Sequence, residues 1–438
     1  MPNIDARRIV MIFSAALFAC ATTAVFGEQS PRELDAELLA RIDRGFDDYR
    51  LDAHIPGMVY GLVIDGRLAH VRGVGWQDID SRRPVTPDTL FRIASMTKSF
   101  TALAILKLRD EGKLALDAPA ETYVPELRDW RYPTADSPKI RVRDLLTHTA
   151  GFVTDDPWGD RQTPLPEADF THLLREGVPF TRPPATAMEY SNLGYALLGR
   201  IVANVSQQSY KDFVAQTLLG PLAMTSSGYD VTAEPQEQRA LGYRWEEGAW
   251  QLEPTMAHGA FGAMGGLQTS ANDYAKYVAF LLAAWPARDG ADSGPVRRSS
   301  VRELAQGANY PTLRDRPGAS GDDACPLAAT YGMGMGVAVD CELGLTLSHG
   351  GGYPGYGSHL LILPEFGIGI FALANRTYAG PRAPVWDAAV ALLRAGLLVE
   401  RSAAVGPELA AAYAAVGAMY RAGAVTAAGD VLAMNFLL

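Results

Sequence analysis

The chain has 438 residues, 48% hydrophobic and 20% charged, enough for a substantial core and more than one small domain needs. Its formal charge is −10 and its basic residues are scattered, which excludes nucleic-acid binding by phosphate neutralisation. The partners to expect are small molecules.

The first element in chain order is an export signal. Arg7 and Arg8 precede an uncharged run from Ile9 to Phe26, and charge resumes at Glu28. That is the basic, apolar and small-residue order of a secretory segment, so residues 1–27 are expected to be a signal peptide and the protein to be periplasmic or secreted. A transmembrane anchor is the competing reading, but Ser14, Cys20, Thr22 and Thr23 interrupt a run that barely reaches spanning length. "LFAC", Leu17 to Cys20, resembles a bacterial lipoprotein box. Lipidated Cys20 would then be the one membrane contact. Beyond it the only cysteines are Cys325 and Cys341. An oxidising compartment lets them form a disulfide worth about 3 kcal/mol, and two unrelated thiols are the alternative. No Cys/His cluster or HExxH run suggests a metal.

Apolar residues at Leu34, Leu38, Leu39, Ile42 and Phe46 recur at helical spacing. "GMVYGLVIDGRLAHVRGVGWQD" reads as a hairpin turning at Asp65-Gly66. Phe100, Leu103, Ile105, Leu106 and Leu108 predict a buried helix from Thr97 to Glu111, closed by Gly112. Residues 110–300 are rich in helical stretches, including "ADFTHLLREGV" and "YALLGRIVANVSQQSYKDFVAQTL". Strands return in "YGMGMGVAV", "LTLSHGG" and "HLLILPEFGIGIFALAN", and the helix "PVWDAAVALLRAGLL" follows. Strands at both ends with helices between predict an α/β (α+β) fold: an antiparallel sheet flanked by helices, with an inserted helical lobe. The expected organisation is one domain over 28–400 with its insertion at about 110–300, and a helical extension over 401–438.

Three stretches carry chemistry. In "FRIASMTKSF", Ser95 and Lys98 are three apart and share a helix face near the helix start, where free N–H groups favour developing negative charge. A serine hydroxyl becomes a nucleophile when a neighbour takes its proton, and a lysine buried among Met96 and Phe100 suits that task. In "MEYSNLGYALLG", a Tyr190 phenol near an ammonium can act as acid or base, and Asn192 can hold a substrate amide or the lysine. The blander reading makes Ser191 or Asn192 a helix cap. In "LTLSHGGGYPGYGSHLLILPE", three glycines after His349 strip side chains from a strand edge. The Gly352 N–H, paired with that of Ser95, would form an oxyanion hole. Tyr353 and Tyr356 are expected to form the mouth of the site.

S-x-x-K, then Y-x-N, then H-x-G in this order resembles the penicillin-recognising serine hydrolases, in particular the branch of class C β-lactamases, D,D-peptidases and family VIII esterases. The likeness covers about residues 35–400, with "RVRDLLTHTAGF" and "GAMGGLQTSANDYAKY" as supporting pieces. It implies a site between sheet and helical lobe. It implies Ser95 as nucleophile, Lys98 as its proton partner, Tyr190 as general acid/base, Asn192 as a substrate-positioning residue, and His349, Gly351 and Gly352 in the third motif. No cofactor is implied, and the substrate is a small ester, amide or peptide. Many β-lactamases of this branch have lysine where His349 stands, so the likeness leans toward an esterase or D-amino-acid peptidase. A class C-like β-lactamase and a non-catalytic penicillin-binding-like protein are the alternatives. No G-x-S-x-G elbow is present, and the oligomeric state stays open.

Overall fold

The computed structural model describes residues 32, 34–155, 158–232, 235–317, 325–403 and 405–425. The architecture below is that of the compact unit that begins at Asp35. The stretch read as an export signal, Cys20 included, lies outside the described residues. Among the described residues no helix is long and apolar enough to cross a membrane.

Strands are β1 (Gly57–Ile64), β2 (Arg67–Asp78), β3 (Arg83–Pro84), β4 (Phe91–Arg92), β5 (Tyr243–Glu246), β6 (Ala249–Leu252), β7 (Gln268–Thr269), β8 (Thr312–Asp315), β9 (Pro326–Tyr331), β10 (Gly336–Asp340), β11 (Gly344–Tyr353), β12 (Tyr356–Leu363) and β13 (Ile368–Ala374). Nine of them form one antiparallel sheet in the order β3-β2-β1-β13-β12-β11-β10-β9-β8. The N-terminal hairpin therefore docks beside the last strand, with Met58 opposite Ala374 and Ile64 opposite Ile368. Asn375 seals that junction. It accepts from the Gly57 N–H at 2.7 Å and donates to the carbonyls of Trp76 and Leu241 at 3.1 and 3.0 Å.

The helices are α1 (Ala36–Asp52), α2 (Thr97–Asp110), α3 (Val142–Leu146), α4 (Glu167–Glu176), α5 (Asn192–Ser206), α6 (Tyr210–Val214), α7 (Gly262–Gly265), α8 (Ala271–Leu282), α9 (Arg298–Glu303), α10 (Arg382–Arg394) and α11 (Pro407–Ala422). Asp35 caps α1 by accepting from Leu38 N at 2.7 Å, and Leu38, Ile42 and Phe46 turn inward. Phe46 stacks on Tyr60 of β1 at 3.9 Å. Tyr274 of α8 meets Phe371 of β13 edge-on at 5.1 Å. Tyr60 is paired with Ala372, one residue from Phe371, so strand alternation puts α1 and α8 on opposite faces. Strands β1 and β13 are buried along their whole length, as a sheet covered on both sides requires.

Between the two sheet-forming segments lies the helical part, whose centre is α2. Phe100, Leu103, Ile105, Leu106 and Leu108 are all fully buried. Each such side chain contributes about 1.5–3 kcal/mol, which makes α2 a rigid post for whatever stands at its N-terminus. That position holds Ser95.

Candidate active site

Ser95 occupies a 3₁₀ turn, Ala94–Met96, that runs directly into α2. Ala94 has φ +49°, a left-handed conformation that costs a residue with a Cβ about 1–2 kcal/mol. The surroundings hold it there. Ile93 N donates to Leu267 O at 3.0 Å, and Ser358 Oγ of β12 donates to Ile93 O at 2.8 Å. From β11, Gly351 lies so close that a Cβ on it would stand 2.4 Å from Ile93 O and 3.1 Å from the Ala94 Cβ. Glycine at this position is thus what allows the strand to dock on the turn that carries Ser95.

Lys98 is fully buried one turn along α2. Its Nζ lies 3.0 Å from Ser95 Oγ, 2.8 Å from Asn192 Oδ1 and 2.9 Å from Met264 O. This shell serves both charge states. An ammonium donates to all three oxygens, whereas an amine donates to the two carbonyl-type oxygens and turns its lone pair to the Ser95 O–H. The nitrogen also sits 4.9 Å from the Tyr190 ring centroid and 5.4 Å from that of Tyr195.

Asn192 opens α5. Ser191 is its N-cap, accepting from Gly194 N, as the cap reading of this motif expects. Asn192 is completely buried and spends Oδ1 on Lys98; of the two partners expected for it, the structure provides the lysine. Behind it, Asp155 accepts from the N–H groups of Asn192 and Leu193 at 2.7 and 2.9 Å. Burial raises the Asp155 carboxyl above its usual range, against the pull of those N–H groups.

His349 sits on β11 with both ring nitrogens engaged. Nδ1 lies 2.6 Å from Gly350 O and Nε2 2.9 Å from the Tyr331 hydroxyl. A carbonyl only accepts, so Nδ1 carries the proton and Nε2 accepts from Tyr331. Burial, with Lys98 nearby, pushes the imidazole down to about 4. His349 is therefore neutral near pH 7 and supplies no cation. Beyond Ser348 the β10 partner ends, so the run from His349 to Tyr353 pairs only with β12.

A cleft of about 400 Å³ opens along this run, lined by Tyr190, Tyr331, His349, Gly351, Gly352 and Tyr378. Ser95, beside Gly351, is 7% exposed. The cleft shares Tyr331, Gly336, Ser348 and Arg382 with a neighbouring trough of about 900 Å³. The expected aromatic mouth is not where Tyr353 and Tyr356 lie. Tyr353 is buried under the Arg92 guanidinium, 4.7 Å from its ring, and the Tyr356 hydroxyl donates to Ala240 O. Tyr353 points that way because it shares a strand face with Gly351, which looks toward the residue 93–94 turn. Tyr378 and Tyr331 take the place expected for that pair.

Cys325, just before β9, and Cys341, just after β10, are joined in a disulfide with Cα atoms 5.8 Å apart. With Glu342 they form the one His/Cys/acid group near enough for a metal among the described residues, and the disulfide removes its thiolates. Sequence reasoning missed His148, Asp155, Tyr331 and the Met264 carbonyl, all of which touch the trio or its supports.

The family described as Beta-lactamase matches residues 37–395. Protein flp of Staphylococcus aureus strain NCTC 8325 is 29% identical over 328 residues, 74% of this chain and 60% of that protein. An uncharacterised protein of Mycobacterium tuberculosis, MT1414, is 32% identical over 246 residues, 49% of this chain and 59% of the relative. The chain thus spans about 60% of the length of these relatives. Among solved structures, the octameric penicillin-binding protein homologue from Pyrococcus abyssi superposes with a TM-score of 0.68 at 25% identity, covering 82% of this chain and 77% of its own. A class C beta-lactamase gives 0.66 at 21% identity, covering 83% and 98%, and supports the fold.

Proposed function

The chain belongs to the Beta-lactamase family, and on that premise we propose that it is an exported serine hydrolase that cleaves a small ester or amide through an acyl-enzyme. The observation that carries this reading is the contact of Lys98 Nζ with Ser95 Oγ at 3.0 Å inside a buried shell that fits an amine as well as an ammonium. Ser95 Oγ bonds to the substrate carbonyl carbon and its proton passes to Lys98 or Tyr190. The oxyanion is held by the N–H groups of Ser95 and Gly352, and the same proton goes on to the leaving group as the acyl bond breaks. Water, deprotonated by the same pair, then releases the acyl group and regenerates the Ser95 hydroxyl. A fluorophosphonate or penicillin probe should label a single peptide containing Ser95, identified by mass spectrometry. Ser95→Ala should abolish both label and p-nitrophenyl ester turnover. An unlabelled wild-type protein without turnover would leave a penicillin-binding-like or inert scaffold as the better account.

Neutral His349 points away from an efficient β-lactamase whose carboxylate anchor is a lysine at that position. The cation that does line both cleft and trough is Arg382, which makes no ion pair among the described residues, and Arg314 stands on the same trough. Arg382→Ala is therefore expected to raise KM about tenfold for carboxylate-bearing acyl donors and to leave neutral esters unchanged, as steady-state kinetics on matched substrate pairs would measure. Equal effects on both would remove Arg382 from substrate recognition.

A further inference from the structure

The stretch "LLTHTAG" has no part in the reaction described above, yet its histidine is wrapped around the tyrosine motif. His148 is 2% exposed and adopts φ +57°, a left-handed conformation in which histidine, asparagine and aspartate are enriched among residues other than glycine. Its carbonyl accepts from Glu189 N at 2.7 Å and its Nδ1 accepts from Ser191 N at 3.2 Å. The N–H groups of the two residues that flank Tyr190 are thus bonded to one residue. The His148 ring lies 4.3 Å from the Tyr190 ring at 38°, and 4.7 Å from Tyr331. Because Nδ1 accepts, the ring proton is on Nε2, which is buried with no hydrogen-bond partner. A phenylalanine would fill the same space without stranding that N–H. What only a histidine or an amide supplies here is the acceptor aimed at Ser191 N.

Resting on the hydrolase reading, we propose that His148 is the positioning residue for Tyr190: it clamps the backbone on both sides and sets the phenol ring over Lys98 by ring contact. The titratable groups that face this pair are Lys98 from α2, Tyr195 from α5, Tyr331 from β9 and His349 from β11. His148 itself is held neutral, chiefly by burial and then by Lys98 and His349, so it adds no charge to the site.

The test compares His148→Phe and His148→Asn with wild type for ester kcat, KM, pH profile and thermal melting. Phenylalanine keeps the ring and loses the acceptor. It should lower kcat about 100-fold with KM held within about twofold, and should shift the pH profile of kcat, because displacing a reacting group by about 1 Å costs that much. Asparagine tolerates the left-handed backbone and offers Oδ1 in place of Nδ1, so it should recover about tenfold of the loss. A Phe variant that matches wild type in kcat and pH profile overturns the proposal, as does an Asn variant no better than Phe. If the Phe variant does not melt cooperatively, the Asn variant decides: a tenfold fall in kcat at constant KM supports the proposal, and unchanged kcat overturns it. Failure of the hydrolase reading shows separately, as a wild-type protein that neither turns over ester nor labels at Ser95.

Discussion

Lys98→Met is expected to lower kcat/KM for an ester by about 10³–10⁴-fold, at the upper end of what a positioned proton-transfer group contributes. The argument is geometric. Nζ is titratable and lies within hydrogen-bond distance of Ser95 Oγ, and its contacts Asn192 Oδ1 and Met264 O can only accept. Methionine fills the same space but can neither take the Ser95 proton nor stabilise a phenolate on Tyr190, whose ring centroid lies 4.9 Å from Nζ. Asn192 and Met264 keep their places, because Asn192 is fixed by Asp155 and Met264 lies on the helix beneath Ala94. The loss should be larger for an amide than for a p-nitrophenyl ester, since an amine leaving group must be protonated and a nitrophenolate need not be. Stopped-flow acylation on both substrate types checks this, with a thermal melt to show that the variant folds. A variant within tenfold of wild type on the amide would mean that Lys98 is structural and that Tyr190 receives the Ser95 proton unaided.

Local rules carried much of the fold. The Asp65-Gly66 turn was legible because a tight turn demands glycine with positive φ, and Gly66 adopts +77°. The α2 helix was legible from its apolar spacing, and the trio from the few residue types able to activate a serine. What escaped notice depends on contacts between distant segments. Asp155 supports Asn192 from 37 positions earlier, and Tyr331 reaches His349 across β10. Neither has a local signal, since a lone aspartate or tyrosine in a loop or strand is unremarkable by composition. The error over Tyr353 and Tyr356 has the same origin. Which face of a strand looks into a cleft is decided by what packs on the other face, here Arg92 and the turn that carries Ser95.

Between pH 7 and 5 the protein is expected to lose stability steeply, because its site is built around imidazoles that are buried uncharged. His148, His349 and His359 are all buried. Burial is the largest cause in each case: it pushes His349 down to about 4, His359 down to about 3, and His148 well below its ordinary value. The sign follows from where protons bind. Above pH about 6.5 these rings are neutral in both states and folding is unaffected. Below it the unfolded chain takes up protons that the folded chain refuses, so stability present above the unfolded value is lost as pH falls toward the folded one. For His349 the window from about 6.5 to 4 corresponds to a loss on the order of 3 kcal/mol. His349 and His359 together give a slope of about 3 kcal/mol per pH unit near pH 5, and His148 acts in the same direction. Asp155 and Asp387, whose carboxyls burial raises, act with the opposite sign and return part of this. Thermal melts from pH 7.5 to 4.5 should therefore show the melting temperature falling by several degrees per pH unit. His359→Leu removes one refusing ring without touching Ser95, Lys98 or Tyr190, and should reduce the slope by about 1 kcal/mol per pH unit. A melting temperature that stays level from pH 7 to 5 would mean that the rings accept protons in place. His349 would then supply a cation at the strand edge after all, and the argument against a lysine-like carboxylate anchor there would lose its basis.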